Sequence, residues 1–222
     1  MNRDKNKSML CNIEKGGSQI MANVEEIVKY MKKGGLIILV DDEDRENEGD
    51  LVGIGAKMSP ENVNFMVTHA RGLLCTPVGD SITRRLGLTQ MVANNTESNG
   101  TRFTFSVDAE TVHGVTTGVS AFDRSATIRV LADPSSTEKD FVHPGHTFPL
   151  KALDGGVAVR NGHTEAAVDL AKLANEEPVG AICEILNEDG TMARLPQLLT
   201  MSKKFNLPLL SIKELTNYME KI

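Results

Sequence analysis

The chain has 222 residues, 40% hydrophobic and 24% charged, with a formal net charge of -6. That acidic balance argues against nonspecific nucleic-acid binding, which needs basic surface to displace phosphate counterions, and no apolar run is long enough to cross a bilayer. Cys11, Cys75 and Cys183 are widely spaced with no CxxC pair, so they form neither a disulfide framework nor a zinc pattern, and a reducing cytoplasm is expected.

Residues 1–20 are polar, carry both signs of charge and lack the apolar centre of a secretory signal. They read as a flexible extension, and residues 21–222 as one domain. Asn23 with Glu26 predicts a capping box, and Val24, Ile27, Val28 and Met31 repeat at helical spacing until Gly34 and Gly35. Leu36 to Val40 then reads as a buried strand.

Asp41 to Asp50 follows as DDEDRENEGD, seven carboxylates against the single Arg45. Composition alone favours a solvated acidic turn between two strands. If the segment from Arg45 to Asp50 is extended, however, Glu46, Glu48 and Asp50 share one face and make an oxygen-rich surface suited to Mg2+ or Mn2+. A calcium loop starting at Asp44 places Gly49 correctly but puts Gly55 where the closing Glu belongs, so that pattern fails.

Leu51 to Ala56 predicts a strand, Ser59 and Pro60 the cap and first turn of a helix to about Thr68, and Leu73 to Val78 a further strand. Asp80 to Leu86 predicts a short helix, Thr89 to Gly100 a polar loop, and Thr101 to Val107 a strand burying Phe103, Phe105 and Val107. A Gly- and Thr-rich turn from Gly114 to Gly118 opens a helix that ends near Asp133, and a loop leads to His143-Pro144-Gly145-His146. Gly155 to Arg160 predicts a short strand and Thr164 the cap of a helix. Val179 to Leu186, a helix around Leu198, Leu207 to Ile212 and Glu214 to Met219 complete the alternation. The pattern implies an α/β (α+β) fold: a layered mixed β-sheet flanked by helices on both faces in a single domain.

Three further stretches carry candidate chemistry. Arg160, Gly162 and Thr164 at a helix start are placed to hold a phosphate, and His163 adds a metal ligand; an ordinary capped helix explains the same residues equally well. His69 and His113 read as structural, whereas Pro144 and Gly145 shape a loop in which His146 is plausible as an acid-base group. Glu184 lies in an apolar strand, where a carboxylate is costly unless paired, metal-bound or facing a polar site. Cys75 reads as a small buried apolar residue.

Together, DDEDRENEGDL, HARGLLCTP, TRFTFSVDA, GVTTGVSAFDRSATIRVLADP, HPGHTFPL, RNGHTEAAVDLAKLA and GAICEI resemble the 3,4-dihydroxy-2-butanone 4-phosphate synthase family of riboflavin biosynthesis. The resemblance implies conversion of D-ribulose 5-phosphate to L-3,4-dihydroxy-2-butanone 4-phosphate and formate. It implies a homodimer with sites near the subunit interface, one or two Mg2+ or Mn2+ ions, and no organic cofactor. It assigns Glu46 and His163 to the metal, and Arg45, Glu46, Asp50, Arg160, Asn161, Gly162, His163, Thr164 and Glu184 to the substrate. His146 and Glu184 are the residues it makes essential to catalysis. Asn161 stands where the family motif often has another small or basic residue. Some relatives add a GTP cyclohydrolase II domain with cysteine-bound zinc; without clustered cysteines here, a monofunctional enzyme is expected. A noncatalytic sugar-phosphate or nucleotide-binding module is the competing reading, and it has no need of His146 and Glu184 beside a metal site.

Overall fold

The computed structural model describes residues 23–222; the extension expected at 1–20 and Cys11 lie outside them. Seven strands, β1 (Ile37–Val40), β2 (Gly49–Ile54), β3 (Cys75–Val78), β4 (Val107–Ala109), β5 (Phe141–Lys151), β6 (Gly180–Glu184) and β7 (Leu209–Ser211), form one sheet in the order β4-β5-β3-β6-β2-β1-β7. Pairings are mixed: β1 with β7 and β3 with β5 are parallel, whereas β1 with β2, β2 with β6 and β4 with β5 are antiparallel.

The central strands are buried on both faces, and their parity decides which core layer each side chain joins. Ile37, Leu39, Val52, Ile54 and Ile182 point into one layer with α1 (Val24–Met31), α5 (His163–Leu173) and α7 (Ile212–Met219). Ile38, Val40, Leu51, Ala181 and Cys183 point into the other, against α2 (Pro60–His69) and α6 (Leu195–Phe205). Helices therefore cover both faces, as the alternation predicts. A third cluster joins α3 (Asp80–Arg85) and Leu131 of α4 (Ala121–Leu131) to Val107 and Phe141 at the β4 end.

Several local expectations are corrected. Asn23 caps α1 by accepting from the Glu25 amide, with no reciprocal box from Glu26. Residues 101–106 form only isolated bridges, at Phe103 with Leu150 and Thr104 with Gln90, and the strand itself is Val107–Ala109; the expected buried face is not formed either, since Thr104 and Ser106 are buried while Phe103 and Phe105 are only partly so. Gly156–Ala158 is a 3-10 turn, because the backbones of Gly155 and Gly156 take φ of +93° and +61° instead of extended values. Thr164 lies inside the first turn of α5, whose cap is Gly162. The acidic segment turns between residues 43 and 46, Asn47 has φ +55°, and extension begins only at Gly49.

His143 to His146 falls inside β5 and not in a preceding loop. Val107 pairs with Thr147 but the next residue, Asp108, pairs with Val142, so the four residues between those partners arch away from β4. The shaped segment expected from Pro144 and Gly145 is a bulge built into a strand.

His69 packs its ring 4.5 Å from those of Phe65 and Phe205, and His113 lies 2.9 Å from Asp140. Both are structural, and Cys75 is buried. Among the described residues no helix is long and apolar enough to cross a membrane.

Candidate metal and phosphate cleft

Asp50 alternates with Val52 and Ile54 on β2, and Glu184 alternates with Ile182 on β6, so both carboxylates lie on the sheet face that α5 covers. They are direct partners in the β2–β6 register. Beyond the last apolar pair, the start of α5 roofs a cleft of about 240 Å³. Glu46, Asp50 and Glu184 line it from one side, Arg160, His163 and Thr164 from the other, and Phe103, Leu150 and Ile182 supply its apolar surface.

Asp41 organises the acidic end. Its side chain is 1% exposed, and it accepts from the Glu46 amide at 3.1 Å, the Glu48 amide at 2.8 Å and the Arg45 guanidinium at 2.8 Å. The same Arg45 nitrogen reaches Glu46 Oε2 at 2.7 Å, so Glu46 is turned toward His163. From the opposite side, Arg194 donates to the carbonyls of Glu46 and Asn47 and fixes the left-handed turn. Thus Glu46, Glu48 and Asp50 do share one cavity, but a turn pinned by Asp41 and Arg194 puts them there, not an extended strand.

His163 Nδ1 stands 3.7 Å from Glu46 Oε2, and Nε2 stands 4.0 Å from Asp50 Oδ1. Burial disfavours charge on this imidazole, yet Asp50, Glu46 and Asp41 together push its pKa up to about 9. Glu46 is held below the ordinary carboxylate range, first by His163 and then, against burial, by Arg45. Burial pushes Asp50 well above that range, with His163 opposing and Glu184 adding to the rise. Glu48 is raised by burial and by Glu46.

Two observations fit a divalent cation. Asp41, Glu46 and His163 each offer a ligand atom within 4.8 Å of one another, and His163 Nε2 is buried without a hydrogen-bond partner. The carboxylate oxygens suit Mg2+ or Mn2+, and the imidazole adds one nitrogen donor to them. The oxygens of Asp41 are engaged with two amides and Arg45, and those of Glu46 with Arg45 and Asn99, which leaves His163 as the least engaged of the three.

At the opposite end, α5 opens with no side-chain cap, so the amides of its first turn are available to an anion. Arg160 Nη1 binds Glu165 Oε2 at 2.6 Å, and Glu165, 1% exposed, also accepts from the Leu153 amide. An added Cβ on Gly162 would stand 2.3 Å from that same Arg160 nitrogen, so glycine lets the guanidinium fold over the helix start. Asn161 is exposed and, with Gly162, lies outside the cleft lining. Asn99 bridges the two ends: its side-chain Nδ2 donates to Glu46 Oε1 at 2.7 Å, and its backbone carbonyl accepts from Arg160 at 3.1 Å.

Glu184 is the last residue of β6, and its Oε2 accepts from the Leu73 amide at 2.9 Å. His146 is not brought into the cleft; its side chain is 49% exposed and pairs with Asp108. Asp41, Asn99, Glu165 and Arg194 escaped the sequence reading. Asp41 and Glu165 sat inside motifs already singled out, whereas nothing local marked Asn99 or Arg194.

Fold and cleft define a class: a mixed-sheet α/β protein in which a cluster of carboxylates and an imidazole, a candidate metal site, faces the uncapped N-terminus of a helix. A family model for 3,4-dihydroxy-2-butanone 4-phosphate synthase matches residues 25–218, and the chain belongs to that family. It is 50% identical over 195 residues to riboflavin biosynthesis protein RibBA of Bacillus cereus, covering 88% of this chain and 48% of that relative. The chain thus spans about half the length of the curated relatives it matches. RibBX from A. baumannii, a two-domain 3,4-dihydroxy-2-butanone 4-phosphate synthase, superposes with a TM-score of 0.84 at 45% identity, over 89% of this chain and 57% of that one. A crystal structure of 3,4-dihydroxy-2-butanone 4-phosphate synthase in complex with two magnesium ions gives a TM-score of 0.86 at 37% identity, over 90% of this chain and 98% of that one.

Proposed function

We propose that this chain converts D-ribulose 5-phosphate to L-3,4-dihydroxy-2-butanone 4-phosphate and formate, and that residues 21–222 are the domain that does so. The observation that carries the proposal is the placing of Glu46 and His163, Asp50 and Glu184, and Arg160 and Thr164 in one small cleft. Arg160 and the first turn of α5 hold the phosphate, and Glu46 and His163 hold Mg2+ or Mn2+, one or two ions per site. Such an ion, when bound, polarises neighbouring sugar oxygens and acidifies the adjacent C–H. Arg45 and Asp50 contact the sugar. Glu184, anchored through one oxygen by the Leu73 amide, uses the other to move protons during enolisation and rearrangement. Family membership and two carboxylates paired beside a cation site favour catalysis over simple binding.

The active form is proposed to be a homodimer. His146 lies outside the cleft of its own chain, and Val119, Phe122 and Val142 expose apolar surface on the segments that flank it. Pairing these faces covers them and brings His146 of one protomer to the cleft of the other. The synthase reaction is the activity proposed for the described residues, among which Cys75 and Cys183 sit in opposite core layers. Two free buried thiols also support a cytoplasmic setting.

The direct test is to incubate the purified chain with D-ribulose 5-phosphate and Mg2+ and to assay formate. Release of formate in step with substrate loss is the expected result; substrate bound but never consumed would establish a binding module instead.

A further inference from the structure

Asp108 lies on β4 and is 7% exposed, yet both its oxygens are committed to one residue. Oδ1 accepts from the His146 backbone amide at 2.9 Å, and Oδ2 lies 2.7 Å from His146 Nδ1. The β5 bulge makes this possible, because the shift in pairing between Val107 and Asp108 throws His143 to His146 out of the ladder and turns His146 back onto Asp108. The Gly145 amide is tied to Ser106 at 3.1 Å, which closes the arch.

The pair is also walled in from above. Gly118 has φ +87°, and a Cβ there would stand 2.0 Å from Asp108 Oδ2 and 2.5 Å from His146 Nδ1. Buried Asp123 holds this loop by accepting from the Thr116 amide, the Thr116 hydroxyl and the Gly118 amide. The Nδ1 edge of the ring is thus enclosed, while the side chain as a whole keeps 49% of its surface exposed. Pinning a bulge needs only the backbone contact; the second contact, to the ring, calls for a separate explanation.

We propose that Asp108 is the positioning residue for His146, fixing the imidazole with hydrogen on Nδ1 and the Nε2 lone pair facing outward. The inference rests on the reading of His146 as a proton-transfer group. A carboxylate only accepts, so it selects the Nδ1–H tautomer. When Nε2 takes a proton from substrate the ring becomes a cation, Asp108 remains an anion beside it, and the same proton leaves Nε2 when it is returned. Nothing passes to Asp108.

The test uses the full chain with Mg2+ and D-ribulose 5-phosphate. Nitrogen-15 NMR of the histidine-labelled, unsubstituted protein should show His146 carrying hydrogen on Nδ1; hydrogen on Nε2 would overturn the proposal without any variant. Asp108→Asn keeps the size of the side chain but presents an NH2 group to Nδ1, so the ring should switch to the Nε2–H tautomer. Formate turnover should then fall ~100-fold or more, with KM changed only a few-fold. His146→Ala should lose as much, and the double variant no more than either alone. Normal turnover in Asp108→Asn beside a dead His146→Ala would sink the positioning role and leave the reading of His146 standing. Full turnover in His146→Ala would remove that reading and the inference together.

Discussion

Asp50 and Glu184 face each other directly across the antiparallel strands β2 and β6, each the polar residue at the end of an otherwise apolar run. Burial is the main cause of the raised Asp50 pKa, and repulsion from Glu184 adds to it. The arrangement suits proton transfer: His163 draws Asp50 toward the anion while Glu184 resists it. Glu184→Gln preserves shape and the acceptor for the Leu73 amide but removes the base. Turnover should drop ~100-fold or more while calorimetric substrate affinity and circular dichroism stay near the parent values. Near-normal formate release would remove Glu184 from the chemistry.

With Glu46 and His163 proposed to hold the ion, activity is expected to be metal-dependent. Exhaustive chelation should abolish formate release, and Mg2+ or Mn2+ should restore it. Glu46→Gln should raise the Mg2+ concentration needed for half activity by ~10-fold or more, since outer contacts to ligands alone carry 10- to 100-fold in affinity. Activity that survives chelation would count against the assignment.

Arg160 is aimed by Glu165, so the two substitutions should differ in kind. Arg160→Ala removes a charge-assisted contact and should raise KM by roughly 10-fold, the equivalent of ~1.4 kcal/mol, at nearly constant kcat. Glu165→Gln leaves the cation but loosens its aim and the Leu153 amide contact, so a smaller rise in KM is expected together with a lower melting temperature. Steady-state kinetics on both variants would separate charge from aim; an unchanged KM in Arg160→Ala would reject the phosphate role.

Asp41 makes a stability prediction. Asp41→Ala strips the Glu46 and Glu48 amides of their acceptor and leaves Arg45 with Glu46 alone. Leaving such groups unpaired costs ~1–3 kcal/mol, which urea denaturation of the metal-free protein should register as a lowered midpoint. Parent-like stability would mean that Arg194 alone suffices to hold the turn.

The local content of the site was legible without coordinates. Continuous apolar runs located β1, β2, β3, β6 and β7; Asp50 stood out within the acidic run, and Glu184 because an apolar strand has no other use for a carboxylate. The short range of the Arg160 to Thr164 motif kept its parts together whatever the tertiary context. Alternation failed at residues 101–106, where half-burial occurs without a ladder, and at Gly155 and Gly156, where positive φ replaced extension.

What the amino-acid pattern determined by itself was which side chains needed covering and which polar groups needed partners. Only the tertiary structure decided who those partners are. Asp50 meets Glu184 because β2 and β6 are buried on both faces, and a one-residue slip would exchange the two core layers along the whole strand. Asn99, Arg194 and Asp108 acquire their tasks the same way, through contacts with residues distant in the chain, whereas Asp41 and Glu165 act on neighbours within their own motifs. Periodicity is a property of one segment, whereas register and cavity shape arise when several segments must bury their apolar faces at once and satisfy every polar group left between them.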